Sequence, residues 1–351
     1  METIIDAVDI KLVKAELTPD KKLCDTNKAG NEIYVFDSFN APNLMREVGR
    51  LREISFRAEG SSSGLSMDID EFDTMEQPYK QIIVWDPDAE AIIGGYRYIL
   101  GPDVRIEDGQ PVLATSHMFR FSERFVNEYL PHTMELGRSF VTPDYQSSKA
   151  GAKALFALDN LWDGITAVVM SHPNIMYLFG KMTMYPKYDQ SARDLILHFL
   201  WKHFRDGELL VEPYEPVLPQ VDGKLLDVIL RADGFDADYK LLKDAVHRLG
   251  TSIPPLVNSY MKTSPTMKMM GTAVNHEFSE AEETAILVCF NEMYAEKRDR
   301  HKMAFHGALR QKMHKRFPHL GQEFVPKVLN RIEQKRENAF RRFKNRNRTS
   351  K

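Results

Sequence analysis

The chain predicts a layered α/β or α+β fold followed by a helical C-terminal extension, on three observations. Leu44, Val48, Leu51 and Ile54 recur at helical spacing and mark an opening helix over residues 41–58. Strand-like and helix-like stretches then alternate to about residue 215. With 351 residues, 43% of them hydrophobic, the chain can bury one large core or two modest ones.

The elements follow in order. Residues 32–36 read as a short strand, and GSSSG at 60–64 ends the opening helix. Residues 81–85 and 91–100 are β-rich runs separated by the turn Asp86-Pro87-Asp88. Ser122 is placed to cap a helix through Tyr129, and Pro131 marks its exit. TMELGRSFV, 133–141, reads as a strand that Pro143 breaks, and the polar loop DYQSSKAGA leads into an apolar helix through Val169. An apolar, aromatic strand over 175–185 precedes a strong helix over 191–204 and a strand beginning at 209–211. Residues 222–249 are helical in pattern, and 251–270, with paired prolines and many methionines, read as an irregular packed connector. Ser279 and Glu282 have capping-box spacing ahead of the apolar run AILVCF, which predicts a helix there. From Ala295 onward the chain is basic and helical in pattern. The implied division is an N-terminal segment 1–40, a main domain 41–290 and a basic extension 291–351.

Charge is uneven. Residues 296–351 hold 18 Lys and Arg against 5 Asp and Glu, a net of +13, which leaves −16 for the rest of a chain whose total is −3. Such an extension suits an anionic partner (a membrane surface, an acidic carrier protein or nucleic acid) or is a solvated tail. No recognised nucleic-acid module accompanies it. Two distant cysteines, Cys24 and Cys289, form neither a disulfide framework nor a zinc spacing, as expected in a reducing compartment. The first residues carry acids and resemble no secretory signal. No stretch approaches the roughly 20 apolar residues of a membrane span. A cytoplasmic protein is expected, with any membrane contact peripheral at the inner face.

Several chemistries are excluded by pattern. GSSSG contains G-x-S-x-G, but a nucleophile elbow needs a strand before Ser62 and a helix after it, and here a helix precedes. DIDEFD opens like a calcium loop, yet the positions that want Gly and Glu are Asp73 and Tyr79. H-E-x-x-H, Cys/His clusters, the P-loop and the dinucleotide fingerprint are all missing, so no metal, NTPase or dehydrogenase chemistry is expected.

Four segments carry a positive signal: LREISF with Arg52 and Phe56, DIDEFD with Asp70 and Asp73, GGYR with Arg97, and ELGR with Glu135 and Arg138. Their order, together with IPPLVNSYMKTSPTMKMMGTAVNHEF, GKMTMY and LDNLWDG, resembles a branch of the GNAT superfamily across about 44–290. That branch holds the acyl-homoserine-lactone synthases and the N-acyltransferases of ornithine and glycine lipids, and the Bacteroides-type glycine-lipid enzymes look most similar. The resemblance implies a mixed, largely antiparallel central sheet flanked by helices. It also implies transfer of a (3-hydroxy)fatty acyl group to the α-amine of glycine, else ornithine, as the first step of aminolipid synthesis. The donor would be a phosphopantetheine thioester on acyl carrier protein, or acyl-CoA. The amine would attack the thioester directly, without a covalent enzyme intermediate.

Each residue type has a physical use. An ammonium has no lone pair, so a carboxylate must take its proton, directly or through a water; Glu135 is the candidate, with Arg97 and Arg138 as catalytic partners. Glu135 and Arg138 could instead form a structural ion pair, although three residues apart on a regular strand they face opposite sides. Arg52 and Arg97 either hold the acceptor's carboxylate or pin the acidic loop through Asp70 and Asp73. Residues 146–152 stand where GNAT enzymes place a phosphate-binding loop, with Gln146, Lys149, Gly151 and Ala152 as donor-binding candidates, though Gln146 and Gly151 are one residue too far apart for the usual pattern. The stripe Met176, Leu178, Phe179, Met182, Met184 and Tyr185 is either an acyl tunnel or core. Phe305, Phe317, Phe340 and Phe343 interleave with the basic residues as an interfacial helix would have them. Two other readings stay open: an acetyl-CoA-dependent GNAT N-acetyltransferase, and a non-catalytic GNAT-like scaffold that binds membranes or partners.

Overall fold

The computed structural model describes residues 1–146, 151–317 and 324–349, and their side chains except those of 151–155 and 347–349. In chain order the elements are α1 (Ile10–Glu16), β1 (Lys22–Asp25), β2 (Glu32–Phe36), α2 (Pro42–Glu59), α3 (Glu71–Thr74), β3 (Lys80–Asp86) and β4 (Ala91–Leu100). The short strands β5 (Ile106–Glu107), β6 (Gln110–Pro111) and β7 (Phe119–Phe121) follow, then β8 (Thr133–Val141), α4 (Gly151–Ser171), β9 (Tyr177–Met184), α5 (Gln190–Phe204) and β10 (Val211–Pro213). The rest comprises α6 (Gly223–Ile229), α7 (Phe235–Arg248), α8 (Pro255–Met261), β11 (Lys268–Asn275), β12 (Ala281–Cys289), α9 (Ala295–Arg316) and α10 (Phe324–Thr349). This is the mixed, mostly antiparallel sheet with flanking helices and helical C-terminal region that the sequence predicts.

The chain forms two compact units. The first unit contains Met1–Asp103, Pro131–Tyr177 and Ala295–Lys351. Its strands run β1-β2-β3-β4-β8, each antiparallel to the next. Two helices cover opposite faces of this sheet. Gln81 on β3 bonds Arg52 of α2, whereas a Cβ added at Gly164 of α4 would lie 2.7 Å from Cγ2 of the adjacent Ile82. Neighbouring strand residues point to opposite faces, so α2 and α4 sandwich the sheet. Pro42 preorganises the first turn of α2, and Gly60, with φ of 90°, closes it in a left-handed cap. Helix α9 is joined to α4 through His301 and Asp163.

The second unit contains Val104–Leu130 and Leu178–Tyr294. Strands β9, β12 and β11 are hydrogen-bonded neighbours, and β7 pairs with β10. Ser122 caps the following turn as expected, its Oγ accepting from Phe125 N at 3.1 Å, but the turn over Phe125–Tyr129 is a π-helix. Phe121, Phe125 and Phe179 form one aromatic cluster, and Phe199, Phe204, Phe235 and Tyr239 another.

Two expectations are corrected. Residues 279–289 form no capped helix: AILVC of that run belongs to strand β12, paired antiparallel with β11. Ser279 and Glu280 carry φ of 53° and 57°, the left-handed geometry of a tight hairpin connection, so Ser279 cannot act as a helix cap. The connector over 251–270 is more regular than predicted, containing α8 and the start of β11.

Candidate active site

The site lies on the α2 face of the first unit. Arg97 on β4 is opposite Gln81 on β3 and Gly137 on β8, and Ile99 is opposite Glu135. Residues opposite one another share a face, and so do residues two apart on a strand. Gln81, Arg97 and Glu135 therefore project toward α2.

The DIDEFD segment is a helix cap, and that function explains its spacing. Asp70 accepts from the backbone N–H groups of Phe72 (3.0 Å) and Asp73 (3.3 Å), while Asp73 accepts from Asp70 N at 3.3 Å. This reciprocal box opens α3. The same carboxylates gather the arginines. Arg52 donates to Asp73 at 2.9 Å and to the Asp68 carbonyl at 3.3 Å. Arg97 donates to both oxygens of Asp70, at 2.6 and 2.7 Å, and to Asp73 at 3.3 Å. Gln81 completes the set, accepting from Arg52 and donating to Asp73 at 3.0 Å.

Arg138 joins through a backbone irregularity. The β4–β8 register shifts between Gly95 and Arg97, and Arg138 has φ of 46°. A regular strand would turn Arg138 away from Glu135; the bulge returns its side chain to the cluster, at 3.0 Å from Asp68 and 3.3 Å from Asp70. Left-handed backbone at a non-glycine residue costs roughly 1–3 kcal/mol. Glu135 has another partner: its carboxylate accepts from the hydroxyl of Tyr79, a fully buried residue. The Tyr79 ring sits 5.2 Å from the Arg97 guanidinium and edge-on to Phe72, with centroids 5.7 Å apart. One arginine thus touches the acidic cap and the ring that holds Glu135.

The electrostatics are asymmetric. Burial pushes the Asp68 carboxyl up, and Arg138, Arg52 and Arg97 only partly offset it. Burial also opposes ionisation of Asp70, but the charge and hydrogen bonds of Arg97, with Arg138 and Arg52, outweigh it and hold that carboxyl well below the usual range. For Arg97, burial disfavours the cation, yet Asp73 and Asp70 raise its pKa above the ordinary arginine value.

Six of the predicted residues, Arg52, Asp70, Asp73, Arg97, Glu135 and Arg138, therefore share one face, and Phe56 is buried one turn along α2 from Arg52. The donor-binding candidates lie toward the far end of β8. Gln146 is exposed and donates to the Val141 carbonyl at 2.8 Å, and Gly151 and Ala152 open α4. Lys149 lies outside the described residues. In the second unit Phe179 packs on Phe121 and Phe125, and Leu178, Met182 and Met184 are buried. Sequence reasoning missed Asp68, Tyr79 and Gln81, and also a polar knot in the second unit. There the buried Glu283 on β12 accepts from Lys181 and Thr183, both at 2.7 Å, and from Asn275 at 3.5 Å. The only sequence signal for it was the acidic pair Glu282-Glu283 ahead of an apolar run. Among the described residues no group of three or more His, Cys, Asp or Glu could hold a metal ion, and no helix is long and apolar enough to cross a membrane.

Residues 51–155, which contain most of this cluster, match the acetyltransferase (GNAT) domain family. The chain is 58% identical over 306 residues to a glycine N(alpha)-acyltransferase of Bacteroides thetaiotaomicron, covering 87% of this chain and 91% of that protein. It is 56% identical over 306 residues to a glycine N(alpha)-acyltransferase of Phocaeicola vulgatus, covering 87% and 94% respectively. No solved structure matches it significantly.

Proposed function

We propose that this chain, an acyltransferase that belongs with these glycine N(alpha)-acyltransferases in the GNAT family, moves a (3-hydroxy)fatty acyl group from acyl carrier protein to the α-amine of glycine. The product is an N-acyl amino acid, the single-chain precursor of an aminolipid. The amine nitrogen attacks the thioester carbonyl; the C–N bond forms as the C–S bond breaks. Glu135 takes the proton released from nitrogen, directly or through a water, and returns it to the departing thiolate. Tyr79 fixes the carboxylate's orientation. Arg52 and Arg97, almost fully enclosed, organise the acidic loop with Asp70 and Asp73, and Phe56 supports α2. Arg138, whose side chain is 16% exposed, is the arginine best placed to meet the acceptor's carboxylate or the developing oxyanion. Gln146, Lys149, Gly151 and Ala152 hold the phosphate end of the donor arm.

The observation that carries this reading is the placement of Glu135: a carboxylate on an interior strand, oriented by a buried tyrosine beside an arginine cluster. The test is product formation by the purified chain, read by mass spectrometry. Acyl carrier protein and coenzyme A thioesters are compared as donors, and glycine and ornithine as acceptors. Glu135→Gln should lower turnover about 100-fold or more, the usual contribution of a general base. Full activity in that variant would refute Glu135 as the base. Faster turnover with acyl-CoA would assign the donor to coenzyme A, and faster turnover with ornithine would reassign the acceptor.

A further inference from the structure

The described residues of the basic extension are mostly helical, in α9 and α10, and the fold sorts their charges. On the first half of α9 they are engaged: Arg300 pairs with Asp159 at 2.5 Å, Arg298 with Asp299 at 2.9 Å and Lys302 with Glu333 at 3.5 Å. Helix α10 carries a second set, in which Arg341 lies 3.9 Å from Glu337. Lys327, Arg331, Lys335, Arg342 and Arg346 are all exposed and follow one another at helical spacing along one side. Among the described residues none of Lys327, Arg331, Lys335 and Arg342 has an ion-pair partner. At 1.5 Å per residue this line is about 28 Å long.

The opposite side of α10 is fully used. Phe343 packs on His132 and Tyr177, at 5.5 and 5.4 Å between ring centroids. Arg336 turns inward and donates to the Val169 carbonyl at 2.8 Å, and Leu329 is buried. The helix therefore cannot lay its apolar face into a bilayer, as an interfacial helix would. Phe324, at its start, is 38% exposed, and Phe317, just beyond α9, is 43% exposed.

We infer that the outer face of α10 is a docking surface for an anionic lipid bilayer, held by charge. A protein partner of useful affinity wants a buried aromatic or apolar centre, and the line from Lys327 to Arg346 presents none. A bilayer needs only a straight run of like charge, at any register. The rest of the chain carries a net of −16, so an anionic surface attracts this helix while repelling the remainder on balance. The inference is independent of the reaction proposed above.

The test is co-flotation of the full chain with vesicles of phosphatidylcholine, with or without about one third phosphatidylglycerol, at about 0.05 M and about 0.5 M salt. Binding is expected only to the anionic vesicles and only at low salt. Each basic residue at an anionic surface strengthens partitioning about fivefold. The combined Lys327→Glu, Arg331→Glu and Lys335→Glu variant should therefore bind at least about 100-fold more weakly. A matched reversal on exposed lysines of the second unit (Lys224→Glu, Lys240→Glu and Lys243→Glu) changes the net charge equally and should retain binding. Absence of binding to anionic vesicles, equal binding to neutral ones, or equal loss in the two variants would overturn the inference. So would capture of acyl carrier protein by α10 without any vesicle binding.

Discussion

Asp73→Asn is the sharpest probe of the arginine cluster, because asparagine keeps the volume and removes only charge and one acceptor. Asp73 is fully buried, and its two oxygens face two kinds of donor: Oδ2 meets Arg52 at 2.9 Å and Arg97 at 3.3 Å, and Oδ1 meets the Gln81 amide at 3.0 Å. An Asn amide in either orientation sets a donor against a donor. Flipping Gln81 does not help, since its carbonyl already accepts from Arg52 and would be replaced by N–H. Three arginines would then share the carboxylates of Asp68 and Asp70, with Arg52 and Arg97 almost fully enclosed. Breaking a buried pair by removing one partner costs about 3–5 kcal/mol, a large part of the roughly 5–15 kcal/mol that holds a domain together. The check is the urea unfolding midpoint followed by circular dichroism, with the m-value held constant. A loss under about 1 kcal/mol would show that the cluster does not hold α2 and α3 on the sheet, and the reasoning would fail.

Other outcomes are open to test. Tyr79→Phe should leave the fold intact, slow turnover about tenfold or more and move the acid limb of the pH–rate profile upward, because a donor to the carboxylate is gone; an unchanged profile would separate Tyr79 from the chemistry. Asp70 titrates lower in the folded than in the unfolded chain, so the stability it adds is present above the ordinary carboxylate range and is lost as pH falls through its folded pKa. Melting temperatures between about pH 5 and pH 2 should therefore fall less steeply in Asp70→Asn than in the parent chain. Gly164→Ala should destabilise the first unit by about 1–3 kcal/mol in urea, because its Cβ would meet Ile82 at 2.7 Å and Ile33 at 3.2 Å. Lys181→Met should cost about 3–5 kcal/mol by stranding the Glu283 carboxylate, and Lys181→Met with Glu283→Gln should recover most of that loss in the same measurement.

The sheet of the first unit was legible because its strands carry local signals. Strand β2 is short and apolar, β3 and β4 flank a Pro-Asp turn, and Pro143 stops β8. Strand β12 was illegible for a physical reason: it is buried along nearly its whole length, so its apolar run has no period that separates strand from helix, and the Ser279–Glu282 spacing tipped the reading toward a cap. The site divides in the same way. Arg52, Asp70, Asp73, Arg97, Glu135 and Arg138 could be named from local motifs. Their partners could not, since pairing depends on register across strands β3, β4 and β8. Tyr79 shows the limit most clearly. In the sequence it is an ordinary aromatic before a strand, but the short turn of α3 carries it under Arg97 and against Glu135. Arg138 reaches the cluster only because the backbone at that position turns left-handed, which no propensity predicts for arginine. Such strain persists only when surrounding contacts hold it, and here Asp68 and Asp70 are the contacts that do so. Arg138→Gly should therefore relax the backbone while releasing both aspartates. If that variant proves more stable than the parent yet forms less N-acyl product, the strain at Arg138 serves the reaction and not the fold.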